Sequence, residues 1–141
     1  MLPDANLLLY AVDRESRLHR PAARWPEESL QGPTQSVFPW PTLLAGTRIA
    51  THPRASRSPL DAGEAWSFVS DRLACDTAWM PTPTRHHAEI SQDLVIAHDL
   101  RGNLIPDAHL AALAIEHGLP IVSSDSDFAR FLEVRWIDPL T

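Results

Sequence analysis

The sequence predicts an α/β fold, a short central parallel sheet covered by helices on both faces, formed as a single domain over residues 1–141. Three observations predict it. Brief apolar runs ("MLP", "TQSVF", "TAWM", "LPIVSS", "VRWI") recur between longer stretches whose apolar residues fall at helical spacing. Strands separated by helices need crossover connections, and these favour parallel pairing with helices over the sheet. Two of the runs stop at carboxylates, Asp4 after "MLP" and Asp125 after "PIVSS". That position, beyond the carboxyl ends of strands, is where an open α/β sheet places its ligand crevice.

Taken in order, "MLPD" is a very short strand, and "ANLLLYAV" continues from it as a helix. In "RLHRPAARWPEESL", Leu18, Ala22, Trp25 and Leu30 share roughly one helical face, with Pro26 kinking or interrupting it. "TQSVF" is the second strand. "PWPTLLAGTRIAT" is helical, with Leu43, Leu44, Thr47 and Ile49 to Ala50 as its apolar positions, and "HPRASRSP" is a loop. "LDAGEAWSFVSDRLA" opens with Asp61 followed three residues later by Glu64, a capping-box spacing, and its expected buried stripe is Ala65, Phe68, Val69 and Leu73. "TAWM" is an edge strand, and "TRHHAEISQDLVIAHD" a helix with Thr84 as its expected cap. After the "RGN" turn, "IPDAHLAALAIEHG" has every mark of a helix: Pro106 and Asp107 in the first turn, Gly118 just past the end. "LPIVSS" is a strand, "DSDFARFL" one or two helical turns, and "VRWI" the last strand.

Composition narrows the function. With 141 residues, 44% hydrophobic and 21% charged, the chain fits one sizeable core. A net charge of −6 argues against holding nucleic acid through a broadly basic surface, so a polyanion must be held locally. All twelve basic residues are arginine, whose planar fork suits bidentate phosphate or carboxylate pairing. A lone Cys75 gives neither an internal disulfide nor a cysteine metal site and suits a reducing cytoplasm. The opening residues carry Asp4 and Asn6 inside their apolar stretch and have no basic leader, so they are expected to be neither signal peptide nor anchor. No uncharged apolar run reaches the ~18 residues a membrane span needs.

Asp4, Asp107 and Asp125 each have a plain structural role available at a helix start, and Asp127 sits in the first turn of "SDFARF". Taken together they say more. Several carboxylates converging on one crevice raise each other's pKa and destabilise the fold unless a cation neutralises them. Ligation by oxygen alone selects a hard divalent ion, Mg²⁺ or Mn²⁺, over zinc.

The blocks "LPDANLLLYA", "RIATHPR", "RGNLIPDAHLAALAIEHG" and "IVSSDSDFARF" together resemble, in order and over nearly the whole chain, PIN-domain ribonucleases of the VapC toxin type. The last two blocks carry most of the specificity. The resemblance implies a PIN-like three-layer fold and a toxin of a type II toxin–antitoxin pair, a Mg²⁺- or Mn²⁺-dependent endoribonuclease. It implies Asp4, Asp107 and Asp125 as metal-binding catalytic residues, Asp127 as a further catalytic carboxylate, and Asn6 and Ser123 as supporting polar groups. A metal-activated water would attack the phosphodiester in line and leave 5′-phosphate and 3′-hydroxyl ends. Arg48, Arg54 and Arg57 would guide the RNA. The implied partners are an RNA substrate, a second copy of the chain, and a VapB-like antitoxin whose C-terminal segment covers the crevice. The sequence departs from the family in one place. The usual glutamate on the helix before "RIAT" is absent: its slot falls on Thr42 or Leu43, which makes Thr42 a supporting group, and no acidic residue lies between Glu28 and Asp61. The alternative that follows is a PIN-like domain that binds RNA or a partner without cutting.

A receiver domain of the response-regulator kind also gathers aspartates and Mg²⁺ at strand ends, but it needs a lysine, and the chain has none. The histidines do not suggest a metal site: His86 and His87 are adjacent and face apart, and His117 suits the end of its helix dipole. Trp25, Trp40, Trp66, Trp79 and Trp136 are scattered, as core or interface residues would be.

Overall fold

A computed structural model of the chain describes residues 2–4, 36–54, 58–76 and 78–139. The helices expected over 5–35, together with Asn6, Trp25 and Arg57, lie outside the described residues.

The described elements run β1 (Leu2–Pro3), β2 (Ser36–Val37), α1 (Trp40–Ala50), α2 (Ala62–Leu73), β3 (Ala78–Trp79), α3 (His87–Ala97), α4 (Leu104–His117), β4 (Ile121–Val122), a 3₁₀ turn (Ser126–Arg130) and β5 (Trp136–Ile137). All strand pairs are parallel, as expected of strands joined by helical crossovers. The pairing forms two plates, a three-stranded one in the order β1-β4-β5 and a two-stranded one of β2 and β3. Pro3 explains the division. The amides of Leu2 and Asp4 donate to Pro120 and Val122 on the β4 side. Pro3 therefore faces the neighbouring β2 and has no N–H to offer it. Its carbonyl accepts instead from the buried Thr42 hydroxyl at 3.1 Å.

The main core joins Leu2, Val37, Leu94, Ile121, Phe128 and Phe131 to one helix, α4, whose Ala108 and Leu110 through Ala114 are all buried. A helix apolar nearly all round belongs at the centre of the fold. Its alanines allow close approach to β4 and α3, the elements α4 packs against. Gly118 ends it with φ 65°, a left-handed conformation that an L side chain rarely adopts. A second cluster, Phe38, Leu43 and Val69, joins α1 and α2 beside β2 and β3.

Most local expectations stand, including the reciprocal capping box of Asp61 and Glu64. Three are corrected. Leu73, the last residue of α2, is 37% exposed at the C-terminal end of the helix rather than part of the buried stripe. Thr84 is not the N-cap of α3: the helix begins two residues later than a Thr84 cap would place it, with His86 at the N-cap position, and the Thr84 hydroxyl donates to Glu116 while accepting from the His86 amide at 3.2 Å in the turn before the helix. The tryptophans are not all dispersed, since Trp40 and Trp66 stack across α1 and α2 with centroids 6.3 Å apart.

Candidate metal centre

Two adjacent parallel strands bring the first pair of site residues together. Leu2 pairs with Ile121 and Pro3 with Val122, so the residues that follow, Asp4 and Ser123, emerge side by side at the carboxyl ends. Ser123 is fully buried, and its hydroxyl is used twice. It donates to Asp4 Oδ2 at 2.8 Å and accepts from the Asp125 amide at 2.9 Å. The buried serine therefore fixes one carboxylate and the backbone of another. Its own carbonyl accepts from the Trp136 indole at 2.8 Å.

The capping role available to Asp125 is real: its Oδ1 accepts from the Asp127 amide at 2.9 Å and starts the 3₁₀ turn. That turn brings Asp127 back beside Asp125. Asp107 arrives separately, in the first turn of α4. One carboxylate oxygen each from Asp107, Asp125 and Asp127 lie within 4.8 Å of one another. Burial pushes the Asp107 carboxyl up to about 6, and the negative charges of Asp4, Asp125 and Asp127 push in the same direction, against a smaller opposing effect from Arg130. Asp4 stands outside the group of three but within electrostatic reach of it.

The donor set fits a hard divalent ion. It is all oxygen, and its spread is near the ~4 Å that separates opposite ligands around an ion held at about 2.1 Å. Burial first, and the gathered like charges after it, favour the protonated form of Asp107, and a cation held among these oxygens would favour the ionised form instead.

Thr42 occupies the slot where a glutamate would stand, and its hydroxyl is committed to Pro3, the residue before Asp4. It braces the strand end. Arg48 and Arg54 lie elsewhere, in a cleft at the far end of α1 lined also by Ile49 and His52.

Sequence reasoning missed Arg130. Its Nη2 donates to Asp127 Oδ1 at 3.3 Å and its Nε to the Asp127 carbonyl at 3.1 Å. The i, i+3 spacing with Asp127 was the available signal. It also missed a polar chain between α3 and α4. There the Glu116 side chain, fully buried, accepts from the Thr84 amide and hydroxyl at 2.8 and 2.7 Å. It also meets His87 Nδ1 at 2.6 Å, while His87 Nε2 lies 3.1 Å from His109 Nδ1. Burial lowers the His109 pKa, and the neighbouring His87 lowers it further. His117 is held by more than its helix dipole, with Nε2 2.8 Å from the Thr82 carbonyl and its ring edge-on to Trp79.

Comparison with known proteins bears on the fold and the family. The PIN domain family model matches residues 1–133. Ribonuclease VapC37 of Mycobacterium tuberculosis is 45% identical over 136 residues, covering 96% of this chain and 94% of that protein. The crystal structure of M. tuberculosis VapC20, described as a sarcin-ricin loop cleaving toxin, superposes with a TM-score of 0.66 at 20% identity, over 95% of this chain and 98% of that one. VapBC2 from Rickettsia felis, solved bound to a promoter DNA fragment, gives a TM-score of 0.67 at 14% identity, over 96% of each chain.

Proposed function

The chain belongs to the PIN-domain family, among its VapC ribonucleases, and from that premise we propose that it is the toxin of a toxin–antitoxin pair, a divalent-metal-dependent endoribonuclease. The observation that supports the metal dependence is the convergence of carboxylate oxygens of Asp107, Asp125 and Asp127 within 4.8 Å of one another. Asp107 and Asp125, with Asp4 beside their group, would hold Mg²⁺ or Mn²⁺. When bound, the ion supplies Lewis-acid chemistry, acidifying water and screening charge on the scissile phosphodiester. Ser123 keeps Asp4 in place and sets the start of the turn. Asp127, its side chain 48% exposed at the rim, orients the water that attacks in line and takes its proton. Arg48, Arg54 and Arg57 draw the RNA strand toward a crevice that its own charge would otherwise repel, and Asn6 belongs to the supporting polar groups. The partners in this reading are a VapB-like antitoxin, by likeness to the VapBC2 complex, and a second copy of the chain. It acts in the cytoplasm, as one domain over 1–141; none of the described helices is long and apolar enough to cross a membrane.

One observation favours a second reading. Thr42, in the glutamate slot, is buried with its hydroxyl already engaged, so it supplies no ligand. A PIN-like domain that binds RNA or a partner without cutting is that reading.

Purified protein, freed of partners, is incubated with total RNA in Mg²⁺ or Mn²⁺, beside an Asp107→Asn/Asp125→Asn variant and an EDTA control. Discrete cleavage abolished in both controls establishes the metal nuclease. Intact RNA in every lane, from folded protein that metal does not stabilise, establishes the binding-only domain.

A further inference from the structure

The cleft at the C-terminal end of α1 measures about 230 Å³ and is lined by Arg48, Ile49, His52 and Arg54. Four features suit it to an anion. First, the carbonyls that end α1 are already satisfied. Thr47 accepts from the Thr51 amide, Ile49 from the His52 amide and Ala50 from the Leu60 amide, and the one Thr51 hydroxyl hydrogen is shared between the Thr47 carbonyl at 2.8 Å and the Arg48 carbonyl at 3.2 Å. An anion here meets no row of bare carbonyl oxygens. Second, the arginines are not consumed by the fold: among the described residues neither the Arg48 nor the Arg54 guanidinium has a carboxylate or carbonyl partner. Third, the His52 ring is set. Its Nδ1 accepts from the Arg54 amide at 3.1 Å, which leaves Nε2 carrying the hydrogen as a donor. Fourth, two uncommitted guanidiniums share one cleft in a chain of net charge −6.

The cleft is also placed relative to the acidic crevice. Thr42, at the start of α1, touches the residue before Asp4, and Arg48 stands six residues on, ~9 Å along the helix axis. Resting on the ribonuclease reading above, we propose that this cleft is a phosphate subsite. It grips one backbone phosphate of single-stranded RNA, displaced along the strand from the scissile bond, through the forks of Arg48 and Arg54 and the Nε2–H of His52. Ile49 gives the cleft an apolar wall for the sugar. Arg and His contacts to backbone oxygens carry no sequence information, so the subsite sets affinity and register and leaves base choice to other parts of the molecule.

The test uses the full chain with Asp107→Asn/Asp125→Asn, so that RNA is bound and not cut, and follows a short single-stranded RNA by fluorescence anisotropy across a salt series in EDTA. Adding Arg48→Ala/Arg54→Ala should weaken binding and flatten the slope of log K against log salt by ~0.7, the change for one lost single-strand phosphate contact. Arg48→Lys/Arg54→Lys should restore the slope, and His52→Ala should weaken binding several-fold while leaving the slope in place. An unaltered slope in the alanine variant, with its fold confirmed by circular dichroism, overturns the proposal. So does a result in which inorganic phosphate or a mononucleotide, detected through the His52 ring signals by NMR, fills the cleft without displacing RNA; the cleft would then serve a free phosphate. The ribonuclease reading is judged separately, by cleavage with the unsubstituted chain and metal. A flattened slope with no cleavage sinks that reading alone, and cleavage with an unaltered slope sinks only the subsite.

Discussion

Helix α4 carries two carboxylates with opposite fates. Asp107 and Glu116 are nine residues apart, ~13 Å along the axis. Asp107 lies in the first turn, where the helix dipole favours negative charge, yet its pKa is pushed up to about 6. Glu116 lies in the last turn, where the dipole opposes negative charge. Burial pushes it upward too, but the hydrogen bonds from His87 and Thr84 outweigh burial and hold it below its ordinary value. Burial and immediate neighbours therefore outrank the dipole at both ends. At Glu116 the hydrogen-bond donors overcome burial, whereas at Asp107 the neighbouring carboxylates add to it and Arg130 offsets only part of the effect.

The largest effect expected on that comparison comes from breaking the paired end. Glu116→Ala strands His87 and the Thr84 donors in a covered site and should cost about 2–3 kcal/mol, read as a drop in Tm of roughly 8–10 °C. Next is supplying the missing cation. Mn²⁺ at about 100 times its Kd should add ~2.7 kcal/mol to the native state and raise Tm by several degrees. The rise should persist at reduced overall Tm in Glu116→Ala and vanish in Asp107→Asn/Asp125→Asn; an equal rise in both variants would place the ion elsewhere. Ser123→Ala removes the donor that steadies Asp4 and should weaken Mn²⁺ binding about 10-fold or more, measured by calorimetry, with a stability loss near 1 kcal/mol.

The smallest effect is pH linkage in EDTA. A folded pKa raised above its unfolded value means that between about pH 4 and 6 the native state holds a proton the unfolded chain has released, so stability falls as pH rises through this window. Asp107 is half-buried, and solvent screening limits the contribution to about 1 kcal/mol. Glu116 contributes in the opposite sense. Its lowered pKa gives stability that is present above the unfolded value and lost as pH falls through the folded one. Denaturant titrations across pH 3.5 to 7 should show Asp107→Asn flattening the loss on the neutral side of the curve and Glu116→Gln flattening the loss on its acid side.

What the sequence made legible follows from locality. Asp61 with Glu64, Gly118 after α4, and Asp125 with Asp127 act within a few residues of themselves, so their spacing announces them. Asp4, Asp107 and Asp125 could be brought together on paper because a parallel sheet leaves one edge for its strands to end on. The His87, His109 and Glu116 chain left no such trace, since its members come from two helices and meet only after those helices pack. The Trp40 and Trp66 stack was hidden for the same reason. The setting of the His52 ring left no trace either, because it depends on which ring nitrogen the Arg54 amide meets, a matter of backbone path and not of spacing.

Pro3 has a mechanical consequence. A continuous five-stranded ladder would resist shear across its middle with several backbone hydrogen bonds. Here the seam runs beside Asp4 and, among the described residues, is bridged by one threonine hydroxyl and by side-chain packing. Among the described residues, the plate bearing α1 is therefore held to the plate bearing the acidic crevice by one side-chain bond and by the packing of Val37 with Leu2 in the main core, with no backbone ladder between them.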